Sequence, residues 1–237
     1  MNRIRSIIVV LCILLSHQTV ATAASDLEKY MVPLSGSRGV AMFRAERLGL
    51  RSTGGTVPRN WDVFIVRQDD GHEPQRITNM QFYDCGGLDV SPDGSNIVFS
   101  VMLNQYPQDS FFVLRLTAIQ PIGSEEKRYI GGRVILDNGK HNLEPHYSPD
   151  GRHVVFLSKS RRQRTLGETL IPFRGTVHFL WEVCIIDLQT QSVTMVDRSN
   201  EAIIQHGYSS DGATVQYTKE GRVRQIAVAD ILAGENQ

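Results

Sequence analysis

The chain has 237 residues, with 25 Lys and Arg balanced by 25 Asp and Glu. That balance gives no global charge to steer the protein toward nucleic acid. With 41% hydrophobic residues there is enough apolar material for a folded core, so a largely disordered chain is excluded.

In chain order, Arg3 and Arg5 come first, followed by an apolar run from Ile7 to Leu15 and then Ala21-Thr22-Ala23. This is the pattern of a secretory signal peptide over residues 1–24. The alternative is an uncleaved anchor, but the apolar run is short for a bilayer span. Cys12 lies inside that run, not at its end, so lipid modification is not indicated. No later segment reads as a stable membrane span. Cys85 and Cys184 remain in an export compartment that permits a disulfide. They occupy different repeats and different positions within them, which favours two buried thiols over a bridge.

Residues 25–237 read as one all-β domain. Ser91-Pro92-Asp93-Gly94 leads to Ile97-Val98-Phe99, and Ser148-Pro149-Asp150-Gly151 leads to Val154-Val155-Phe156. Ser209-Ser210-Asp211-Gly212 leads to Val215-Gln216-Tyr217, and the same register finds Ser35 with Phe43. The serines are 56, 57 and 61 residues apart, a period typical of repeat architectures. Asp-Gly between apolar runs marks a hairpin, because glycine accepts the positive φ of a tight turn. A third strand is expected at 61–66, 111–116, 181–187 and 223–230. A fourth is expected at 75–78, 133–137 and 192–197. These windows are rich in β-branched and aromatic residues. The last repeat has little room for an outer strand, so residues 25–30 supply one or that blade stays thin. No helical periodicity is evident.

Ser-Pro-Asp-Gly-x-x-apolar-apolar-Phe resembles the repeat of TolB-like β-propellers, which also occurs in the propeller domains of prolyl-oligopeptidase relatives. The resemblance implies a β-propeller of about four four-stranded blades, incomplete or irregular in the last. It places the Asp-Gly turn between the two innermost strands of each blade. It also places the loops between strands two and three on the face where each innermost strand begins, opposite the hairpins.

Two groups of residues then stand out. The long loops on that face carry Arg44, Arg47, Arg51 and Arg59, and then Arg161, Arg162, Arg164 and Arg174. Guanidinium groups suit carboxylates and phosphates, so these residues are candidates for an anionic ligand or a protein partner. The alternative is an ordinary solvated surface. The second group is Asp89, His141, Glu144, His146 and Gln205, which the resemblance puts beside the central channel. Their spacing matches no zinc signature, so no metal or other cofactor is indicated. No Gly-x-Ser-x-Gly occurs and no catalytic residue can be assigned. The repeated aromatics Phe99, Phe156 and Tyr217 read as core packed between blades, and Asp93, Asp150 and Asp211 as turn residues.

The function expected is an exported, non-enzymatic propeller that binds a protein or other ligand through its loop face. The alternative is a secreted enzyme acting on acidic polysaccharide, since some secreted lyases with related propellers carry histidines near the channel. A third reading is a subunit that completes its ring by pairing with another chain. The sequence leaves the oligomeric state open.

Overall fold

A computed structural model of the chain describes residues 28–34, 39–45, 61–67, 74–103, 111–119, 131–161 and 179–233. Four antiparallel sheets follow one another along the chain. The first contains β1 (Glu28–Pro33), β2 (Gly39–Ala45), β3 (Trp61–Arg67) and β4 (Gln75–Arg76). The second contains β5 (Asp84–Val90), β6 (Asn96–Met102), β7 (Val113–Ala118) and β8 (Arg133–Leu136). The third contains β9 (His141–Tyr147), β10 (His153–Arg161), β11 (Phe179–Asp187) and β12 (Val193–Ser199). The fourth has three strands, β13 (Ile203–Tyr208), β14 (Thr214–Lys219) and β15 (Arg222–Ala227). Each sheet is a meander in sequence order, and the innermost strands β1, β5, β9 and β13 come first. This is a β-propeller of about four blades.

The repeated phrase forms the same turn three times. The amide of Gly94, Gly151 or Gly212 donates to the carbonyl of Ser91, Ser148 or Ser209 at 2.8–2.9 Å. Each glycine has φ near +71°. The serine hydroxyls donate to Asp93, Asp150 and Asp211. The same hydroxyls accept from the amides of Asn96, His153 and Thr214. These bonds hold all three carboxyls below the ordinary range, Asp93 at about 2, with the serine bond the leading cause.

The core lies between consecutive blades. Phe99 packs against Ala41, Phe43 and Val63 of the first sheet. Phe156 packs with Val98 and Leu114 of the second. Tyr217 packs with Leu157 and Val183 of the third. Cys85 and Cys184 are buried in different clusters and are not joined by a disulfide. Burial pushes the Cys184 thiol up to about 12, which leaves it unreactive. Among the described residues, no core cluster joins the fourth sheet to the first.

Several expectations need adjusting. Residues 28–33 form the innermost strand of the first sheet and add nothing to the last. The chain after β15 turns into a short helix, α1 (Val228–Ala233), with Val228 and Ile231 packed on the third core cluster. Strands β14 and β15 are joined by a tight hairpin turning at Glu220-Gly221, so the last blade carries no long loop between its second and third strands. In the first blade the register differs by one. Lys29 pairs with Phe43 and Val32 with Ala41, leaving Tyr30 and Met31 opposite Met42. Met42, not Phe43, is therefore the counterpart of Phe156 and Tyr217, and Phe43 faces the second sheet, 6.3 Å from Phe99. Ser35 lies outside the described residues.

Candidate functional site

Each innermost strand carries a bulge at one level, marked by a residue with positive φ: Tyr30 (56°), Gly87 (127°), Glu144 (50°) and Gln205 (53°). The ladder shifts register there in all four sheets. A bulge inserts an unpaired residue and re-aims its side chain. Three of the four are not glycine, so the conformation is sterically costly and is held by the surrounding sheet. A β-carbon on Gly87 would lie 2.8 Å from Cα of Glu144, so only glycine lets the second blade approach the third this closely.

The bulges gather part of the predicted channel group. Asp89 accepts from the Tyr147 amide at 2.8 Å, which ties the second blade to the third. Its second oxygen accepts from the Val90 amide. Burial raises the Asp89 carboxyl, and these backbone bonds oppose the rise. Nδ1 of His146 lies 3.9 Å from Asp89 Oδ2. His206, next to Gln205 in the last bulge, packs against His146 with ring centroids 5.1 Å apart and the rings tilted by 57°. Nε2 of His206 bonds the Glu144 carbonyl at 2.6 Å, and its Nδ1 lies 3.9 Å from Glu144 Oε2. Burial pushes the His206 imidazole down to about 4, so it is neutral at pH 7. Toward the hairpin face, a cavity of about 340 Å³ is lined by Asp89, His146, Tyr147, His206, Tyr208 and Ser210 among others. Burial pushes the phenols of Tyr147 and Tyr208 up, so both stay protonated.

Asp89, Glu144 and His146 thus converge, with His206 as the member the sequence reading passed over. Its signal was weak: a histidine beside Gln205, in a repeat whose motif had lost its proline. Gln205 is exposed and bonds the Thr218 hydroxyl. His141 stands at the loop-face end of β9, against Phe111 and Phe112 at 5.4 and 5.7 Å. Among the described residues, no three His, Cys, Asp or Glu side chains are grouped as metal ligands.

Of the arginines, Arg44 stacks over Phe64 at 5.9 Å on the side of the first sheet away from the second. Arg161 ends β10. Arg47, Arg51, Arg59, Arg162, Arg164 and Arg174 lie outside the described residues. Beside Arg161, Lys159 places its Nζ 3.9 Å from the centroid of Phe179 and 4.7 Å from Trp181. His141, Lys159 and Trp181 are direct neighbours across β9, β10 and β11.

No protein-family profile and no curated protein matches the chain. Solved structures do. TolB from Acinetobacter baumannii is 15% identical, with a TM-score of 0.54 over 85% of this chain and 41% of its own. A nidogen/laminin complex contains a chain 9% identical, with a TM-score of 0.56 over 85% of this chain and 61% of its own. An oligogalacturonate lyase in complex with manganese is 13% identical, with a TM-score of 0.52 over 80% of this chain and 46% of its own. The chain therefore has the TolB-like β-propeller fold, and it spans less than two thirds of each of these structures. Among the described residues, no helix is long and apolar enough to cross a membrane.

Proposed function

We propose that this chain is an exported binding propeller without catalytic activity, which engages a protein or other anionic ligand through its loop face. The observation that carries the proposal is the Lys159–Phe179–Trp181 cluster. A cation pinned on two half-buried aromatic rings is a pre-ordered contact surface. Arg161 follows it on the same strand, and Arg162, Arg164 and Arg174 come next in sequence. A nidogen/laminin complex among the similar structures supports partner binding as a use of this fold.

The test is capture of a partner from the exporting cell's envelope or medium, compared with Trp181→Ala and with a triple Arg161, Arg162 and Arg164→Gln variant. The triple variant should slow association and flatten its salt dependence, because screening acts over about 8 Å at 0.15 M salt. Binding unchanged in both variants would return this rim to ordinary solvated surface. Export is tested by mass spectrometry, which should find cleavage after Ala23 or Ala24.

A second reading, an enzyme acting on acidic polysaccharide, is favoured by the likeness to an oligogalacturonate lyase. Incubation with acidic oligosaccharides, followed by absorbance of unsaturated products with and without chelator, separates the two.

A further inference from the structure

His206 and Glu144 bring two acceptors together away from the loop rim. His206 is fully buried as a side chain, and its Nδ1 has no hydrogen-bond partner. Its Nε2 faces a carbonyl, which can only accept, so Nε2 carries the proton and Nδ1 presents a lone pair. That lone pair looks at Glu144 Oε2, another acceptor, across 3.9 Å. Two acceptors facing one another are mutually repulsive and leave a buried group unsatisfied. Protonating His206 would resolve the conflict, but burial keeps the ring neutral at pH 7.

A donor placed between them also resolves it. Two acceptors served by two N–H bonds of one tetrahedral nitrogen, each at about 2.8–3.0 Å, lie about 4.6–4.9 Å apart, so the half-exposed Glu144 carboxylate has to swing outward from its 3.9 Å separation by less than about 1 Å to admit the donor. The surroundings select the donor's charge. Asp89 lies behind His146, at 3.9 Å from its Nδ1. Among the described residues, no lysine or arginine pairs with Glu144 or Asp89, and Lys29 is engaged with Asp84 at 3.8 Å. Glu144 is about half exposed, which leaves an approach from the channel.

We propose that Glu144 and His206 form a receptor for a primary ammonium group, with Glu144 supplying the charge and His206 Nδ1 the second acceptor. The group comes either from a small free amine or from a lysine side chain of a bound segment. This site is separate from the loop rim and does not rest on its function.

The experiment follows the histidine side-chain nitrogens of the ¹⁵N-labelled full chain by NMR at pH 7.5. The probes are methylammonium and a terminally blocked Gly-Gly-Lys-Gly-Gly peptide, with tetramethylammonium as an equally charged control lacking N–H donors. The His206 Nδ1 resonance should move and saturate with methylammonium or the peptide and stay put with tetramethylammonium. Glu144→Gln should weaken binding by roughly tenfold or more, because it removes the charged acceptor, while leaving the thermal midpoint unchanged. A response to methylammonium supports a small-amine receptor. A response to the peptide alone supports a peptide-borne lysine. No shift with either probe at tens of millimolar, an equal shift with tetramethylammonium, or full affinity in Glu144→Gln would overturn the proposal.

Discussion

Pro149 lies against the empty side of Gly212. A β-carbon built on Gly212 would stand 3.2 Å from Cδ of Pro149 and 3.4 Å from its Cγ. Gly151 has the same relation to Pro92, at 3.5 Å. The proline of one hairpin therefore covers the glycine of the next, and Ser-Pro-Asp-Gly is a clasp between blades as well as a turn within one. The far face of the fourth sheet is different in kind. Gln216, Thr218 and Gln225 stand where the third sheet has Val155, Leu157 and Ile185, and Val223 there is 68% exposed. Its hairpin correspondingly carries Ser210 in place of proline.

The clasp can be measured with two alanines. Gly212 and Gly221 have nearly the same backbone, at φ +72° and +69°. Nothing lies within 4 Å of a β-carbon on Gly221. Gly221→Ala should therefore show only the backbone penalty, about 1 kcal/mol. Gly212→Ala should cost about 1 kcal/mol more, and Pro149→Ala in the same chain should recover part of that excess. Equal urea midpoints for the two alanine variants would show that the turns do not clasp.

Phe156 and Asp150 separate core from turn. Phe156 is fully buried between the second and third sheets. Phe156→Ala should cost about 3–5 kcal/mol through lost burial and the cavity left behind. Asp150 accepts from the Ser148 hydroxyl and the Arg152 amide at the surface. Asp150→Ala should cost only about 1 kcal/mol. Urea denaturation of the two variants checks the ordering, and equal small effects would refute it.

The blade pattern was legible because turn chemistry and strand propensity are local. Ser-Pro-Asp-Gly needs a glycine with positive φ, and the runs after it alternate between two buried faces. The bulges were not legible, since only Gly87 among the four carries the residue type that signals positive φ. Tyr30, Glu144 and Gln205 adopt that conformation because neighbouring strands impose it. The first blade's register was misread for a related reason. The phrase is degraded around Ser35, and Phe43 offered an aromatic one residue from the true position, Met42. The Glu144–His206 contact joins residues 62 apart through two bulges, a relation that no spacing rule encodes. The loop arginines were selected by density alone, and most lie where no geometry is described.

Asp62 should be the most sensitive charged position of the first blade. Only 1% exposed, it accepts from the Thr78 hydroxyl at 2.7 Å, the Met80 amide at 2.9 Å, the Gln81 amide at 3.2 Å and the Arg76 guanidinium. These bonds fix the segment that follows the two-residue strand β4. Asp62→Asn keeps the shape but loses the charge and turns one acceptor into a donor. The expected cost is about 3 kcal/mol, within the range for breaking a buried pair. Thermal unfolding measures it, and a loss below about 1 kcal/mol would mean that the network is dispensable.

His206 should make the protein sensitive to mild acid. The sign follows from its depressed folded value. Burial holds the imidazole at about 4 when folded, while in the unfolded chain it titrates near its ordinary value of 6.5. Its contribution is fully present above about pH 6.5. It is lost as pH falls toward 4, because the unfolded state takes up the proton first. That difference corresponds to about 3 kcal/mol between neutral pH and pH 4. Asp89 works the other way: its carboxyl is raised on folding, so it favours the folded state more as pH falls below its folded value. Asp89 therefore offsets part of the acid slope, while the depressed carboxyls of Asp93, Asp150 and Asp211 add to it once pH falls into the carboxylate range. His206→Gln removes the histidine's share and should flatten the fall in urea midpoint between pH 6.5 and 4, even if the variant is less stable at pH 7. Parallel pH profiles for the two proteins would show that His206 titrates in the folded state as it does in the unfolded chain.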